Sequence, residues 1–376
     1  MADVIIIGGG IAGCSTAWYL ACEGIDVLLL ERDEPNCQAS GANAGSLHGQ
    51  IQHEPFVEHG ETWVRQYLPA LPFYKFAIDT WERAADTLDA DLEFSRDGGI
   101  IVAADAAQMQ AIEEKTRFEV EAGLGTRVLD RKELQSIAPY LADDLLGGAF
   151  CPIEGKASPL TATPAFAAAA IEHGARILSH SEVVAIDRAA GNYVVSTKRG
   201  KFEAPIVVNA AGVDLANVAS LTGVQLEIQA YPIQLTVTEP VEPLVGHLLY
   251  SAADMLTLKQ TRAGTLLIGG GWPASLDRKG RPQVCAESLS RNLALALGVV
   301  PGVANAVVVR CWAAIVNGTH NWLPIIGELS SHPGYYVNYV PWMGFTGGPG
   351  GGRIIADMIS GCKPSTDFDL RPFAPN

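Results

Sequence analysis

Three glycines near the N-terminus have the spacing of a nucleotide-binding turn. Gly8, Gly10 and Gly13 form a GxGxxG motif between an apolar strand, Val4–Ile7, and a predicted helix, Ile11–Glu23. The first glycine of such a motif permits a tight turn, the second lets the backbone approach a pyrophosphate, and the third lets the helix pack closely on the strand. The motif therefore predicts a dinucleotide site that begins at the first strand.

An acidic residue follows where a ribose would lie. Glu31 ends the second predicted strand, Asp26–Leu30, and Arg32 comes next. A carboxylate there can accept hydrogen bonds from both ribose hydroxyls and would repel a 2′-phosphate. The free amides of Ile11 and Ala12 begin the helix, whose positive end faces the phosphates. These residues leave FAD and NAD open as the dinucleotide.

Small residues in the second half of the chain favour FAD. The apolar run Ile206–Val208 leads into Asn209-Ala-Ala-Gly212, where Ala211 and Gly212 allow close approach by a cofactor. A glycine cluster, Gly344–Gly352, precedes a predicted terminal helix at 350–360, and the start of that helix could stabilise negative charge on a reduced flavin ring. The alternative for this cluster is an ordinary flexible loop.

The order of predicted elements indicates two interleaved domains. Parallel α/β character occurs at the start, middle and end of the chain, and a more antiparallel β region lies between 226 and 316. We therefore predict a Rossmann-like FAD-binding domain interleaved with an antiparallel-sheet substrate domain. A long helix is expected from Glu61 to Leu88, broken or kinked at Pro69 and Pro72. The predicted FAD-binding domain comprises 1–50, 140–222 and 323–376, and the substrate or cap domain comprises 51–139 and 223–322.

Composition excludes several classes of partner. The formal net charge is −15 and no basic run is present, which argues against nucleic acid and anionic lipid. The apolar N-terminal run is too short for a signal peptide or a membrane span. Seven scattered cysteines form no CxxC pair, so no metal site is expected, and reduced thiols in the cytoplasm are the simplest interpretation.

These motifs, taken together, resemble the FAD-dependent D-amino acid oxidase superfamily, which includes glycine and sarcosine oxidases. The resemblance covers nearly the whole chain and includes Ala39–Gly45, Ser181–Val184, Leu323–Gly327 and the final glycine cluster. It implies that the backbone near Val183 touches adenine. It also implies that two segments run beside the flavin. The first contains Ser40, Asn43, Ala44, Gly45, Ser46 and Leu47. The second contains Gly344, Phe345, Thr346 and Gly347.

Three positions depart from the family pattern. Val316 stands where glycine oxidase-like members place an arginine for the substrate carboxylate. Ala314 stands where monomeric sarcosine oxidases attach the flavin through cysteine, and Gly351 matches a lysine of those enzymes. The resemblance therefore implies that FAD is bound without a covalent bond. It also implies that the arginine by which related enzymes bind the carboxylate of a simple amino acid is absent.

The Asn43-Ala-Gly-Ser-Leu-His48 string is similar to β subunits of heteromeric opine oxidases or dehydrogenases and of D-hydroxyproline dehydrogenases. In such complexes this kind of subunit carries the FAD that oxidises the substrate. The resemblance implies partner subunits, which would supply any FMN or iron–sulfur cluster.

Flavin amine oxidation needs few catalytic side chains, since hydride passes from the carbon beside a neutral amine to the cofactor and the imine hydrolyses afterwards. His48 and Gln50 follow the flavin-side segment and are our candidates for the catalytic site, although His48 could equally be a hydrogen-bonded loop residue. Lys259 and Arg262 are candidates for holding a carboxylate, but the more common interpretation is solvated charges at strand ends. The aromatic residues that could line the cavity are Tyr231, Tyr250 and Trp342.

The sequence leaves several functions open. The first is the catalytic subunit of a secondary-amine, opine or D-hydroxyproline dehydrogenase, and a stand-alone oxidase that produces hydrogen peroxide is its nearest variant. The second is a non-catalytic subunit whose FAD relays electrons or supports assembly. A nicotinamide-dependent dehydrogenase is disfavoured by the C-terminal glycine cluster.

Overall fold

The GxGxxG segment joins the first two strands of a six-stranded sheet. The computed structural model describes residues 1–375. The strands of the sheet are β1 (Val4–Ile7), β2 (Val27–Leu30), β8 (Arg176–Leu178), β12 (Ile206–Asn209), β20 (Ile325–Glu328) and β21 (Tyr335–Tyr339). Their order is β20-β21-β12-β1-β2-β8, and β20 alone is antiparallel to its neighbour.

The central strands of this sheet are short, wholly apolar runs because helices and loops cover both of their faces. On one face, α1 (Ile11–Cys22) packs against α7 (Ala162–Glu172) and α10 (Gly344–Ser360). On the other lie α8 (Leu215–Ser220) and a three-stranded antiparallel sheet. That sheet consists of β9 (Val183–Ala189), β10 (Asn192–Thr197) and β11 (Gly200–Ala204).

A second, mostly antiparallel sheet has eight strands. They are β4 (Gly99–Ala103), β5 (Arg127–Asp130), β6 (Gly147–Cys151), β13 (Gln229–Pro240), β14 (Leu248–Ser251), β15 (Thr257–Gln260), β16 (Thr265–Gly269) and β19 (Val308–Gly318). Their order is β19-β13-β16-β15-β14-β4-β6-β5, and only the β14–β4 pair is parallel. The Rossmann-like sheet and the antiparallel sheet confirm the predicted fold class.

The remaining strands are two residues long, and the remaining α-helices lie against or between the two sheets. They are the strand pairs β3 (Ser46–Leu47) with β7 (Gly155–Lys156) and β17 (Ser275–Leu276) with β18 (Pro282–Gln283), and the helices α2 (Ala39–Ala42), α3 (His53–Tyr67), α4 (Ala70–Thr87), α5 (Ala106–Glu121), α6 (Arg131–Ile137) and α9 (Ala286–Val299). None of the helices within 1–375 is both long and apolar enough to cross a membrane.

Two predictions about helices need correction. The helix expected from Glu61 to Leu88 is divided beside Pro69 into α3 and α4, as predicted, and non-helical Gly60 (φ 67°) separates the first turns of α3 from the segment that begins at Glu61. Pro72 lies in the first turn of α4 and does not break it, because the N–H that proline lacks has no helical partner there. The glycine cluster expected to precede the last helix is part of it, since α10 begins at Gly344. Five of its glycines leave no room for a side chain, since a Cβ at Gly347, Gly348, Gly350, Gly351 or Gly352 would lie 2.2–2.8 Å from a neighbouring atom.

The predicted domain boundaries remain a prediction, but the sheets show where segments pair. β6 ends at Cys151 and belongs to the eight-stranded sheet, although the prediction returned the chain to the FAD-binding domain at 140. α4 falls within the predicted cap segment, yet it packs against α10. Segments assigned to one predicted domain therefore pair or pack with elements of the other.

Candidate functional site

A cavity of about 380 Å³ opens above the GxGxxG turn, and we call it the glycine-loop cavity. It is bounded by the carboxyl ends of β1 and β2, the start of α1 and the start of α10, as expected for ligands of parallel α/β sheets. The predicted cofactor residues that line it are Gly8, Gly10, Ile11, Ala12, Glu31, Arg32, Ser40, Asn43, Val183, Ala211, Gly212, Gly344 and Phe345.

The GxGxxG glycines fit a closely approaching ligand backbone. Gly8 has a φ of +110°, and a Cβ there would lie 2.5 Å from the Ala210 carbonyl oxygen. A Cβ on Gly13 would lie 1.9 Å from the carbonyl oxygen of Gly8, so this residue packs α1 onto the turn and does not itself line the cavity. Ser40 Oγ accepts a hydrogen bond from the Ile11 amide (2.9 Å). The cradle fits a dinucleotide pyrophosphate at the positive end of α1.

Glu31 is buried at the edge of this cavity and held by backbone donors. Its two carboxylate oxygens accept hydrogen bonds from the amides of Gly9 (2.6 Å) and Asp33 (2.8 Å). Arg32, which also lines the cavity, pairs with Asp33 and Asp214. The carboxylate is thus oriented before a ribose arrives, and each oxygen keeps a second lone pair for a hydroxyl.

The second cavity has a volume of about 500 Å³, and we call it the His48 cavity. Both His48 and Gln50 line it, together with Ala44, Ser46 and Thr346. Five residues line both cavities, namely Ala39, Asn43, Val316, Trp342 and Phe345. A long ligand bound at the glycine loop can therefore extend into the His48 cavity. Like Gly13, three other predicted cofactor residues, Gly45, Leu47 and Gly347, line neither cavity.

The start of α10 lies where the two cavities meet. Gly344 and Phe345 face the glycine-loop cavity, and Phe345 and Thr346 face the His48 cavity. Thr346 Oγ1 accepts a hydrogen bond from the His48 amide (3.0 Å) and is itself 3.3 Å from the Ser46 carbonyl oxygen. The amides of the first turn of a 17-residue helix thus point toward the junction of the cavities and favour negative charge there.

His48 is not an isolated loop histidine. Its Nδ1 lies 2.8 Å from the hydroxyl oxygen of Tyr250, which also lines the cavity. Burial lowers the pKa of His48 to about 3, and the charge of Lys259 acts in the same direction. The imidazole is therefore neutral at ordinary pH.

A buried polar network that the sequence analysis missed extends from this pair. Glu154 accepts hydrogen bonds from the amides of Gly49 (2.7 Å) and Gln50 (2.9 Å) and from Gln50 Nε2 (2.8 Å). Lys115 donates to Gln50 Oε1 (3.2 Å) and forms an ion pair with Glu119. Burial raises the pKa of Glu154. Lys115 and Glu119 have the i,i+4 spacing of an ordinary surface pair on α5, so nothing in the sequence distinguished them.

The two cations predicted to bind a carboxylate, Lys259 and Arg262, differ in their burial. Lys259 was interpreted as a solvated strand-end charge, and that is wrong: it is 1% exposed, and its Nζ donates to Ser46 Oγ (2.5 Å). Burial lowers the pKa of Lys259 to about 7, and the charge of Lys156 adds to the shift. Arg262 is exposed and pairs with Asp91. Neither residue lines the His48 cavity, where Lys115 is the only lysine or arginine in the wall within residues 1–375.

Three aromatic side chains form one wall of the His48 cavity, and we call them the aromatic wall: Tyr231, Trp322 and Trp342. Their ring centroids are 5.5–6.3 Å apart. Both tryptophans have left-handed backbone, with φ of 58° and 53°, which is rare for bulky residues and concentrates at functional sites. A Cβ on Gly318 would lie 2.7 Å from the Trp322 ring, so a glycine makes room for it.

The position expected to carry a substrate-binding arginine lies at this wall. Val316 in β19 is opposite Tyr231 in β13 and lines both cavities. Ala314, at the position of the flavin-attaching cysteine, also lines the His48 cavity. No cysteine contributes to the wall of either cavity in the described chain.

Comparisons with known proteins identify the family. A family model described as FAD dependent oxidoreductase (DAO) matches residues 3–358. The chain is 28% identical to the beta subunit of sarcosine oxidase from an Arthrobacter species, over 95% of this chain and 87% of the relative. It is 25% identical to the B subunit of opine oxidase from Rhizobium meliloti, over 98% of this chain and 96% of the relative.

The solved structure of glycine oxidase from Geobacillus kaustophilus superimposes on the chain with a TM-score of 0.83 at 26% identity, covering 100% of this chain and 98% of that one. The similarity thus extends over both sheets. The family model names FAD, and the glycine-loop cavity fits a dinucleotide. The chain belongs to the DAO family of FAD-dependent oxidoreductases, which act on amine or amino acid C–N bonds.

Proposed function

We propose that this chain oxidises the C–N bond of an N-substituted amino acid, such as an opine or D-hydroxyproline, as the catalytic FAD subunit of a heteromeric dehydrogenase. The observation that carries the proposal is the junction of the two cavities, where the flavin-side segments meet a second cavity large enough for a bulky substrate. FAD supplies the hydride acceptor, and the side chains around the His48 cavity bind and orient the substrate.

The lining of the His48 cavity supports a substrate that is not gripped by an arginine. Val316 offers no charge, and Lys115 is already tied to Glu119 and Gln50. The aromatic wall instead provides apolar surface and ring faces that suit the ring or chain attached to the amine nitrogen. Small amino acids such as D-alanine would leave most of this surface without a contact.

Support for heteromeric assembly comes from two relatives, whose names describe the beta subunit of sarcosine oxidase and the B subunit of opine oxidase. An iron–sulfur cluster in such an assembly would belong to partner subunits, since the described residues contain no group of three or more side chains that could hold a metal ion. An FMN is assigned to partner subunits by the resemblance alone. Copurification at fixed stoichiometry from the native host, with analysis of released flavins and iron, tests this part of the proposal.

The catalytic role is tested by flavin reduction without oxygen. We expect the yellow absorption to bleach when the purified protein is mixed anaerobically with its substrate from a panel of opines, hydroxyprolines and simple amino acids. A protein that contains FAD but is bleached by dithionite and by no amine would favour the non-catalytic electron-relay role. Reoxidation by air within a catalytic cycle, with release of hydrogen peroxide, would favour a stand-alone oxidase.

The flavin is proposed to be non-covalent because Ala314 cannot form a thioether and no cysteine lines either cavity within residues 1–375. Acid precipitation should therefore release yellow FAD into the supernatant. Colour that stays with the precipitated chain would show a covalent bond to another residue.

A further inference from the structure

The aromatic wall of the His48 cavity is built at a conformational cost. Trp322 and Trp342 both have a left-handed backbone, with φ of 58° and 53°, which residues other than glycine rarely adopt. Two glycines make room for their rings. A Cβ on Gly271 would lie 2.7 Å from the Trp342 ring, and one on Gly318 would lie 2.7 Å from the Trp322 ring. Strain at two tryptophans that face a cavity indicates that their rings have a role in binding.

The three rings of the wall form a corner. The ring planes of Tyr231 and Trp322 are inclined to each other by 31°, whereas the plane of Trp342 makes angles of 74° and 86° with them. The wall thus has two nearly perpendicular aromatic surfaces. All three side chains are half-buried and line the His48 cavity. A group that sits in this corner therefore contacts more than one ring.

The corner offers ring faces to a bound molecule. The hydroxyl of Tyr231 donates a hydrogen bond to Gln229 Oε1 (2.6 Å), and Gln229 does not line the cavity. Val316 is opposite Tyr231 in the β13–β19 pair, so this position places no cation at the corner. The face of an aromatic ring carries partial negative charge and attracts cations, and tryptophan does so most strongly. The corner is therefore suited to an alkylammonium group.

The charges elsewhere in the cavity are compatible with a cation. Within residues 1–375, the acidic and basic side chains of the lining, histidines apart, are two carboxylates, Glu54 and Glu154, and one lysine, Lys115. Lys115 forms an ion pair with Glu119, so its positive charge is already offset. Such a lining does not repel an ammonium group. Partial exclusion of bulk water strengthens the attraction between a cation and a ring.

We propose that the aromatic wall binds the positively charged nitrogen of the substrate, an alkylammonium group. The inference rests on the proposed function, because it takes the ligand to be an amine that is oxidised in the His48 cavity. The wall then captures the substrate by its nitrogen, where an arginine at position 316 would capture it by its carboxylate. Since hydride transfer requires the neutral amine, the wall contributes to binding and not to the chemical step.

Two ligands of equal shape test the preference for charge. Trimethylammonioacetate and 3,3-dimethylbutanoate share a carboxylate and a branched end, but the charged nitrogen of the first is replaced by carbon in the second. Neither has an amine lone pair, so neither reduces the flavin. Each is titrated into the FAD-loaded protein, and the change in the flavin absorption spectrum gives its dissociation constant. The charged ligand should bind roughly 5- to 30-fold more tightly, as expected for cation–π contacts.

Trp322→Leu tests the wall itself, because Trp322 lines the His48 cavity and not the glycine-loop cavity. With one of three rings gone, the ratio of the two dissociation constants should fall roughly threefold or more. Tyr231→Leu is a second variant with the same expectation. Trp322→Phe is the matched control, since it keeps a ring and should retain most of the preference. Glu54→Gln removes a carboxylate and no ring, so it should change the ratio less than Trp322→Leu does. The FAD content of each variant shows whether it has folded.

The outcomes separate the wall from other sources of attraction. No binding of the charged ligand, equal dissociation constants, or a preference that both leucine variants retain overturns the cation site and leaves the proposed amine oxidation intact. A preference lost in Glu54→Gln but kept in Trp322→Leu assigns the attraction to the carboxylate and also overturns it. A flavin that no amine reduces overturns the proposed function, whereas the ligand pair still measures cation binding by the wall. A preference that depends on Trp322 and survives in Trp322→Phe supports the inference.

Discussion

Glu31 is fixed in place by the fold before any nucleotide binds. The amides of Gly9 and Asp33 hold its two oxygens, and the residue is 9% exposed. The same carboxylate therefore shapes the glycine turn and presents lone pairs to a ribose. Such preorganisation reduces the entropy lost when the nucleotide is ordered.

Glu31→Ala should weaken FAD binding at least tenfold. Charge-assisted hydrogen bonds contribute roughly 1.5–3 kcal/mol each, and about 1.4 kcal/mol corresponds to a factor of ten. Titration of the apoprotein with FAD, followed by quenching of flavin fluorescence, measures the effect. Glu34→Ala is the matched control, because Glu34 lies in the same segment, is exposed and bonds only to Ser179 and His180. Equal dissociation constants for Glu31→Ala and the wild type would contradict the assignment.

Lys259 is a buried amine whose charge is costly to the folded state. Its pKa is about 7 in the folded protein because of burial, and about 10.5 without it. The unfolded chain therefore binds more protons between these values, so this residue makes stability rise with pH from about 7 to about 10.5. Below pH 7 both states are protonated and the penalty is constant.

Lys259→Met should remove that penalty. Relative to the wild type, the variant should gain several kcal/mol at pH 7 in the free energy of unfolding, at about 1.4 kcal/mol per pKa unit, less the lost bond to Ser46. The gain should shrink toward pH 10. Urea unfolding of both apoproteins at a series of pH values provides the measurement, and Lys198→Met, at an exposed lysine, is the control. A difference in unfolding free energy between Lys259→Met and the wild type that does not vary with pH would refute the buried-amine account.

Close helix packing explains the composition of α10. A Cβ on Gly350 would lie 2.8 Å from Ala77 Cβ in α4, and one on Gly352 would lie 2.7 Å from Ser15 Oγ in α1. Glycine is a poor helix former, so its presence indicates that contact between helices outweighs local propensity. The contact holds the start of α10 at the junction of the two cavities.

Gly350→Ala should destabilise the protein although alanine favours helices. Overpacking typically costs about 1–3 kcal/mol, which exceeds the roughly 1 kcal/mol gained in helix propensity. Gly298→Ala in α9 is the opposite case, since nothing lies within 4 Å of its Cβ position, and it should stabilise the protein by up to about 1 kcal/mol. Thermal unfolding of both variants tests these expectations. A Gly350→Ala protein whose melting temperature exceeds that of the wild type would show that α4 and α10 can separate at little cost.

Local patterns predicted the first two strands and the nucleotide turn. β1 and β2 match their predicted ranges closely because their apolar runs and flanking glycines carry the signal within a few residues. The start of α10 was predicted wrongly because of its glycines. Close contacts with α1 and α4 require glycine at these positions, and the local sequence does not show those contacts. The position of Glu154 carried no signal, since its hydrogen-bond partners Gly49 and Gln50 come from a distant segment.

At the scale of the whole molecule, the His48 cavity is assembled from both sheets. His48 follows the nucleotide-binding half, Tyr250 comes from β14 of the eight-stranded sheet, and Trp342 precedes α10. A cavity of this kind is fixed by the packing of the two sheets, so its lining cannot be read from any one segment. We therefore expect the choice of substrate to depend on the whole lining, which is mostly uncharged and partly aromatic.

That lining leads to a prediction about substrate size. A small amino acid bound by its carboxylate needs a fixed cation, for which arginine is favoured because its planar group binds both oxygens. Val316 supplies none, so the specificity constant kcat/KM should be lower for D-alanine than for D-hydroxyproline or an opine. Val316→Arg should shift the ratio of these constants toward D-alanine by tenfold or more, since a charge-assisted pair contributes roughly 1.5–3 kcal/mol.

Val316→Leu provides the control, because it adds bulk at the junction of the two cavities without charge. It should leave the ratio near the wild-type value, and the FAD content of both variants should be measured because Val316 also lines the glycine-loop cavity. If wild-type kcat/KM is highest for D-alanine, its carboxylate is held by another group, and Lys115 becomes the residue to examine, as the one lysine or arginine in the described wall. If Val316→Arg and Val316→Leu change the ratio alike, bulk at this position, and not charge, governs the selection of substrate.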